Sequence, residues 1–173
     1  HLNDVVELGG EPFRLIKAPG HADGQILFYG ADRGLLFSAD VLVSGAYLHF
    51  TDWPNTFLEN PLAAFLQTLD ELDSLTLTRT WPGHGPALTD LHAAAEELRQ
   101  RHRYKLERVL RAVNMPVAAG ELYPRINRIP IDYVHLHRVL IGETLGYLLY
   151  LASSGALEMH DDGDRVFFSP RRD

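Results

Sequence analysis

Three short segments constrain the fold of this chain more than any other feature, because each one follows a stretch of strand-forming residues. They are Pro19-Gly20-His21, Ser38-Ala39-Asp40 and Pro82-Gly83-His84-Gly85. Side chains in loops at strand ends on one rim of a sheet can converge, and neighbouring glycines allow a close approach of the backbone. Two imidazoles and one carboxylate suit Zn²⁺, Mn²⁺ or Fe²⁺. The sequence therefore predicts a fold in which His21, Asp40 and His84 meet at one rim as metal ligands.

The first half of the chain has the pattern of strands interrupted by one helix. The predicted strands cover residues 13–17, 25–29, 35–38 and 75–80. Gly30 and Gly34 bound a short turn, which predicts a hairpin between the second and third of these strands. Asn60 is a suitable N-cap for a helix that has Pro61 in its first turn and apolar residues at helical spacing as far as Leu72. This order predicts a mixed α/β unit over residues 1–88.

The second half of the chain has the pattern of helices followed by a hairpin. Helices are predicted at 89–113, within 116–130 and at 132–153, and a hairpin turns at residues 161–164. Three helices followed by a β-hairpin are typical of a winged helix. The sequence therefore predicts a second domain over residues 89–173. The boundary between the two domains is expected inside the first of these helices.

The composition excludes several classes of protein. The chain has 173 residues and no cysteine, so disulfides and thiolate metal sites are absent. Its apolar stretches are far shorter than the roughly 20 residues of a membrane-spanning helix, and its start is unlike a signal peptide. These features fit a cytoplasmic protein with no membrane contact. The first residue is His1 rather than methionine, which suggests a piece of a longer protein.

The three segments and their surroundings resemble successive motifs of the metallo-β-lactamase superfamily. The matching stretches are Ala18 to Gly24, Leu36 to Leu42 and Trp81 to Pro86. Val5 to Gly10 is similar to the segment that precedes the first of these motifs, and Ile141 to Leu151 is similar to the closing winged-helix domain of some bacterial hydrolases and lactamase-like endoribonucleases. The resemblance implies an α/β (α+β) fold, namely half of an αββα sandwich followed by a helical winged-helix domain, as in glyoxalase II-like hydrolases.

The same resemblance implies a dinuclear metal-dependent hydrolase for the parent protein. His21 would bind one ion, His84 would bind the second, and Asp40 would bridge them. Such a pair of ions supplies hydroxide that attacks an ester, thioester, lactone or phosphodiester. The expected cofactor is two divalent ions, with zinc first and manganese or iron as alternatives. The expected substrate is a small ester-like or thioester-like molecule, with RNA as the weaker alternative.

One defining element of the superfamily, the His-x-His-x-Asp-His motif, does not occur in this sequence. The only His-x-His is His135-Leu136-His137, where Arg138 follows and no aspartate is present. Residues two apart in a helix point about 200° apart, so we interpret both histidines as ordinary helix residues. The chain is therefore expected to be the C-terminal part of the hydrolase, inactive alone. Proteolysis, disorder of a first half and natural truncation are the alternatives. An uncovered sheet face would require the missing N-terminal half or a second copy in a homodimer.

Four further residues are weaker candidates for the site. Tyr47, His49 and Trp53 follow Asp40 where a substrate pocket would be lined, although they could equally be packing residues. Asp23 could support an imidazole, or it could be a turn residue.

A basic cluster on the helix at 89–113 could contact RNA phosphates, but interspersed glutamates favour a solvated, ion-paired face. The members of this cluster are Arg99, Arg101, His102, Arg103, Lys105, Arg108 and Arg111. The alternative function is therefore a non-catalytic interaction module, in which the winged helix serves dimerisation or nucleic-acid binding. The aspartates of the turn at 161–164 argue against DNA binding through that hairpin.

Overall fold

The computed structural model describes residues 4–43, 50, 58–127 and 134–171. Its strands are β1 (Val5–Leu8), β2 (Glu11–Lys17), β3 (Ile26–Gly30), β4 (Leu35–Ala39), β5 (Arg79–Pro82), β6 (Leu157–Asp161) and β7 (Val166–Pro170). Its helices are α1 (Pro61–Leu72), α2 (Leu91–Ala112), α3 (Ala119–Ile126) and α4 (Val134–Ser153), with one 3-10 turn at Ala31–Arg33. The described residues fall into two compact units, and the chain passes between them more than once. The first unit contains the described residues up to Phe50 and from Ala63 to Gln100, and the second contains those after Phe50 up to Leu62 and from Arg101 onward.

The first unit contains a five-stranded sheet in the order β1-β2-β3-β4-β5. Neighbouring strands are antiparallel except for β4 and β5, which are parallel. A parallel pair needs a crossover connection, and here that connection contains α1. Because β4 and β5 run in the same direction, their carboxyl ends lie at the same edge of the sheet. The mixed α/β fold class predicted from the sequence is confirmed.

One face of this sheet is buried. Leu27, Leu36 and Thr80 on this face are at most 1 % exposed. The apolar residues of α1 are also fully buried: Leu62, Phe65, Leu69 and Leu72. The Tyr29 hydroxyl, from the same sheet face, donates to the carbonyl of Thr76 just beyond α1. The helix therefore lies on this face, and burial of its apolar stripe stabilises the layer.

The opposite face of the sheet carries aromatic side chains, and we call it the aromatic face. The ring of Phe37 lies 5.7 Å from that of Phe13 and stacks at 5.5 Å on that of Trp81. Phe37 is nevertheless 40 % exposed, and Ile26 is 38 % exposed. Phe13 on the same face is 4 % exposed, so the described part of this face is only partly accessible. The uncovered sheet face expected from the sequence stays a prediction.

The second unit is helical and ends in the antiparallel hairpin of β6 and β7. Val117, just before α3, pairs with Phe168 of the hairpin through two backbone hydrogen bonds of 2.9 Å. Gly155 follows α4 with a left-handed φ of 77°, a conformation in which glycine commonly ends a helix. The predicted helices and hairpin are confirmed, whereas the winged-helix arrangement stays a prediction.

The strand predicted at 75–80 is present, but its start was placed too early, because β5 begins only at Arg79. Its proposed start lies in a turn, where Leu75 is buried and the Thr78 amide donates to the carbonyl of Gly34.

The domain boundary between residues 88 and 89 stays a prediction. Among the described residues, no helix has the length and apolar character needed to cross a bilayer.

Candidate metal centre

Asp40 is placed by an unusual turn at the end of β4. Ala39 has a φ of +44°, a left-handed conformation that costs a residue with a β-carbon about 1–2 kcal/mol. The pairing of β4 with β5 shifts register between Phe37 and Ala39. Ser38 is fully buried, and its hydroxyl lies 3.5 Å from the carbonyl of Trp81. The bulge and the left-handed residue together direct the next side chain, that of Asp40, to the edge of the sheet.

His84 reaches the same edge from β5. The amide of Gly83 donates a 2.6 Å hydrogen bond to the carbonyl of Ala39, which joins the two loops directly. A β-carbon at position 83 would collide with Oδ1 of Asp40. The glycine before His84 therefore allows the backbone to pass beside the carboxylate.

His21 lies in the loop between β2 and β3, and α1 fixes this loop. The amide of Ala18 donates to the carbonyl of Gln25 at 2.9 Å, which closes the loop. The Thr68 hydroxyl of α1 donates to the carbonyl of Pro19 at 3.0 Å. A β-carbon on Gly20 would stand 2.6 Å from the α-carbon of Phe65, so this glycine also permits a close approach.

These three loops bring together the three residues that the sequence selected. Nε2 of His21 lies 3.6 Å from Oδ2 of Asp40, and Nε2 of His84 lies 3.6 Å from Oδ1. Each imidazole therefore faces its own carboxylate oxygen. The Asp40 side chain is 35 % exposed and that of His84 is 76 % exposed, so ions and small molecules have access from solvent.

The donor set fits divalent ions. A distance of 3.6 Å is too long for a hydrogen bond, but it is close to the roughly 3.4 Å that separates two ligands of one tetrahedral zinc ion. Nε2 is the His21 nitrogen that faces the carboxylate, whereas Nδ1 is buried and has no hydrogen-bond partner in the part of the chain that the structure describes.

The arrangement is two half-sites that share one carboxylate. Each half-site has one imidazole nitrogen and one oxygen of Asp40. Within residues 4–43, 50, 58–127 and 134–171, no three histidine, aspartate or glutamate side chains surround a single point. Since zinc commonly takes four ligands, each half-site would need further ligands to hold an ion tightly.

The weaker candidates have different outcomes. Tyr47, His49 and Trp53 lie outside the described residues. Asp23 is exposed in the loop of His21, and its supporting role stays a prediction. Nδ1 of His137 contacts the Tyr123 hydroxyl at 2.8 Å, whereas the adjacent His-x-His member, His135, is exposed. These two histidines of α4 are ordinary helix residues, as the sequence indicated.

Two contributors to the centre were missed by sequence reasoning. Thr68 holds the loop of His21 from a helix some 49 positions away in the chain, and no sequence pattern marks that contact. The left-handed conformation of Ala39 carries no signal either, because alanine is not a residue that favours it. The glycine before each histidine was the available signal, and it correctly indicated close approach.

The basic residues of α2 are largely engaged within the chain. Arg99 donates to Asp70 of α1 at 2.9 Å and to Asp73, just beyond α1, at 2.6 Å. Arg111 pairs with Glu107, and Arg108 donates to a backbone carbonyl at Ile126. This pairing supports the interpretation of α2 as an ion-paired face rather than as an RNA-binding surface.

Several known proteins are similar to this chain in sequence and in fold. No family model matches it. The probable metallo-hydrolase YqjP of Bacillus subtilis is 25 % identical over 170 residues, which cover 92 % of the chain and 51 % of YqjP. The crystal structure of a metallo-β-lactamase family protein from Thermus thermophilus matches with a TM-score of 0.85 and 31 % identity, over 98 % of the chain and 52 % of that protein. The chain belongs to the metallo-β-lactamase superfamily.

Within the superfamily, the acyl-coenzyme A thioesterase MBLAC2 of Homo sapiens is a further relative. It is 29 % identical over 82 residues, which cover 47 % of the chain and 28 % of MBLAC2. The chain spans about half the length of YqjP and of the Thermus protein.

Proposed function

We propose that this chain forms part of a metal-dependent hydrolase in which His21, Asp40 and His84 hold two divalent ions. The observation that carries the proposal is the Asp40 carboxylate, whose two oxygens each face a different imidazole at 3.6 Å. A carboxylate in this position is suited to bridging two ions. The name of YqjP, a probable metallo-hydrolase, supports the same class of activity.

The residues of this chain have distinct roles in the proposed site. His21 and His84 bind through Nε2 in their neutral form, and Asp40 offsets part of the positive charge. Bound divalent ions supply a hydroxide near neutral pH and polarise the oxygen of the substrate. Imidazole and carboxylate donors favour zinc, with manganese or iron as alternatives. The exposed side of His84 is where substrate would approach.

The proposed substrate is a small ester or thioester. The thioester choice is supported by the relationship to MBLAC2, an acyl-coenzyme A thioesterase. RNA is the weaker alternative, because arginines of α2 are paired with acidic residues. The same pairing weakens the case for a nucleic-acid-binding module without catalysis. Phosphate contacts would appear as a steep loss of RNA affinity when the salt concentration is raised.

We propose that the two half-sites are completed by ligands from another part of the whole protein. The relatives are about twice as long as this chain. The aromatic face, with Phe37 at 40 % exposure, would be covered by that additional part. A second copy of the chain in a homodimer is the alternative. The chain alone is then expected to have little or no catalytic activity.

An acyl-thioester hydrolysis assay tests this proposal at two levels. In the whole zinc-loaded protein, His84→Ala should lower the rate by about 100-fold or more, as expected for loss of a group that stabilises developing charge. The isolated 173-residue chain and its His84→Ala variant should both stay at the background rate. An unchanged rate for the whole variant would contradict the metal-ligand role. Faster turnover by the isolated wild-type chain than by its variant would contradict the expected inactivity.

A further inference from the structure

Gly83 has a property that its own backbone does not explain. Its φ lies outside the left-handed region, so a positive φ does not explain the glycine. An added β-carbon would collide with Oδ1 of Asp40 and would lie 3.3 Å from the carbonyl carbon of Ala39. A side chain at position 83 would therefore force the Asp40 carboxylate out of its present position.

Gly83 also holds the backbone that carries the carboxylate. Its amide donates to the carbonyl of Ala39 at 2.6 Å. Among the described residues other than glycine, Ala39 alone has a positive φ. The register shift of β4 ends at this residue. A strained conformation persists only when surrounding contacts maintain it. The hydrogen bond from Gly83 is one such contact.

The contact is specific for one oxygen. Oδ1, which a side chain at position 83 would displace, is the oxygen that faces His84. Oδ2 faces His21 on the other side. Displacement of Oδ1 would therefore disturb the half-site of His84 before that of His21.

We propose that Gly83 is a positioning residue for the Asp40 carboxylate, which it keeps between His21 and His84 by leaving space for Oδ1 and by holding the Ala39 carbonyl. This inference rests on the proposed function for its metal-binding consequence. Its steric basis is a property of the chain without any ion.

A double-mutant cycle tests the steric basis. Gly83→Ala should lower the urea midpoint of unfolding in the wild-type background but should have a clearly smaller effect in an Asp40→Ala background, because the obstructing carboxylate is gone. An equal shift in both backgrounds would overturn the inference. If Gly83→Ala alone does not fold, recovery of folding in the double variant gives the same answer. Gly24→Ala is the matched control, since no atom lies within 4 Å of its added β-carbon.

Zinc binding tests the functional consequence. Zn²⁺ is added to the metal-free, ¹⁵N-labelled whole protein, and the imidazole Nε2 resonances of His21 and His84 are followed. In Gly83→Ala, the Zn²⁺ concentration for a half-maximal change at His84 should rise by about 10-fold to 100-fold, with a smaller rise at His21. Equal midpoints in wild type and variant would overturn the inference. Absence of any response in the wild type would contradict the proposed metal site instead, while the double-mutant cycle would still decide the positioning role.

Discussion

Gly20 lies so close to the backbone of Phe65 that a β-carbon at position 20 would stand 2.6 Å from the Phe65 α-carbon. Gly20 also has a φ of 127°, which is a conformation that residues with a β-carbon rarely adopt. Thr68, one turn further along α1, holds the carbonyl of Pro19. The position of the His21 loop is therefore set by α1 as well as by the sheet.

We expect Gly20→Ala to lower the free energy of unfolding by roughly 2–4 kcal/mol, because the new methyl group must push α1 away and its backbone is strained. Urea unfolding followed by circular dichroism measures this change. Gly24→Ala in the same loop is the control, and its effect should stay within about 1 kcal/mol because the added methyl meets open space. Equal losses in both variants would show that the contact with Phe65 is not the cause.

A buried ion pair in the helical unit gives a pH prediction. Glu143 is 2 % exposed, and Lys105 donates to it at 2.5 Å. Burial raises the pKa of the Glu143 carboxyl above its ordinary value of 4.5, and Lys105 offsets part of this effect. The folded chain therefore holds this proton more tightly than the unfolded chain does. The resulting contribution to stability is fully present below pH 4.5 and is lost as the pH rises through the folded pKa.

Glu143→Gln removes this titration, so it serves as the reference. The free energy of unfolding of the wild type, minus that of Glu143→Gln, should fall as the pH is raised from about 4 to about 7. Chemical unfolding of both proteins at each pH measures the difference. A difference that stays constant, or that grows with pH, would contradict a raised pKa for Glu143.

Phe37 gives a prediction for the aromatic face. In the isolated chain, whose aromatic face lacks its proposed cover, Phe37→Asp should reduce self-association in sedimentation equilibrium, because it places a charge on the same face as the exposed Ile26. It should also cost about 1–3 kcal/mol of stability, since contacts with two aromatic rings are lost. Val134→Asp, at a helix position that is 68 % exposed, is the control and should leave self-association unchanged. Loss of self-association in both variants would point to net charge rather than to this face.

Local patterns were sufficient for much of the fold and for the choice of ligands. The hairpin of β3 and β4 was predicted from two strand-forming runs joined by a short turn between Gly30 and Gly34, and α1 begins at Pro61 as predicted. His21, Asp40 and His84 were found because each stands just beyond a strand in a short motif. These features depend on neighbouring residues in the sequence, so a single sequence contains them.

Contacts between distant segments were the part that the sequence did not reveal. Lys105 was interpreted as part of a solvated basic face, whereas it reaches buried Glu143 of α4. His102 belonged to the same basic cluster, yet it is 2 % exposed and its Nδ1 lies 2.8 Å from the Tyr147 hydroxyl. The strained backbone of Ala39 depends on the pairing of β4 with β5. Each of these features exists only after helices and strands have packed together.

The most direct test of the proposed metal centre is the response of individual histidines to zinc. With up to millimolar Zn²⁺, the Nε2 resonances of His21 and His84 should shift together in the metal-free whole protein, while exposed histidines such as His135 change less. Asp40→Asn should abolish or strongly weaken both responses, and Asp23→Asn in the same region should retain them. Unchanged resonances at His21 and His84, or equal responses in wild type and Asp40→Asn, would contradict a metal centre bridged by Asp40.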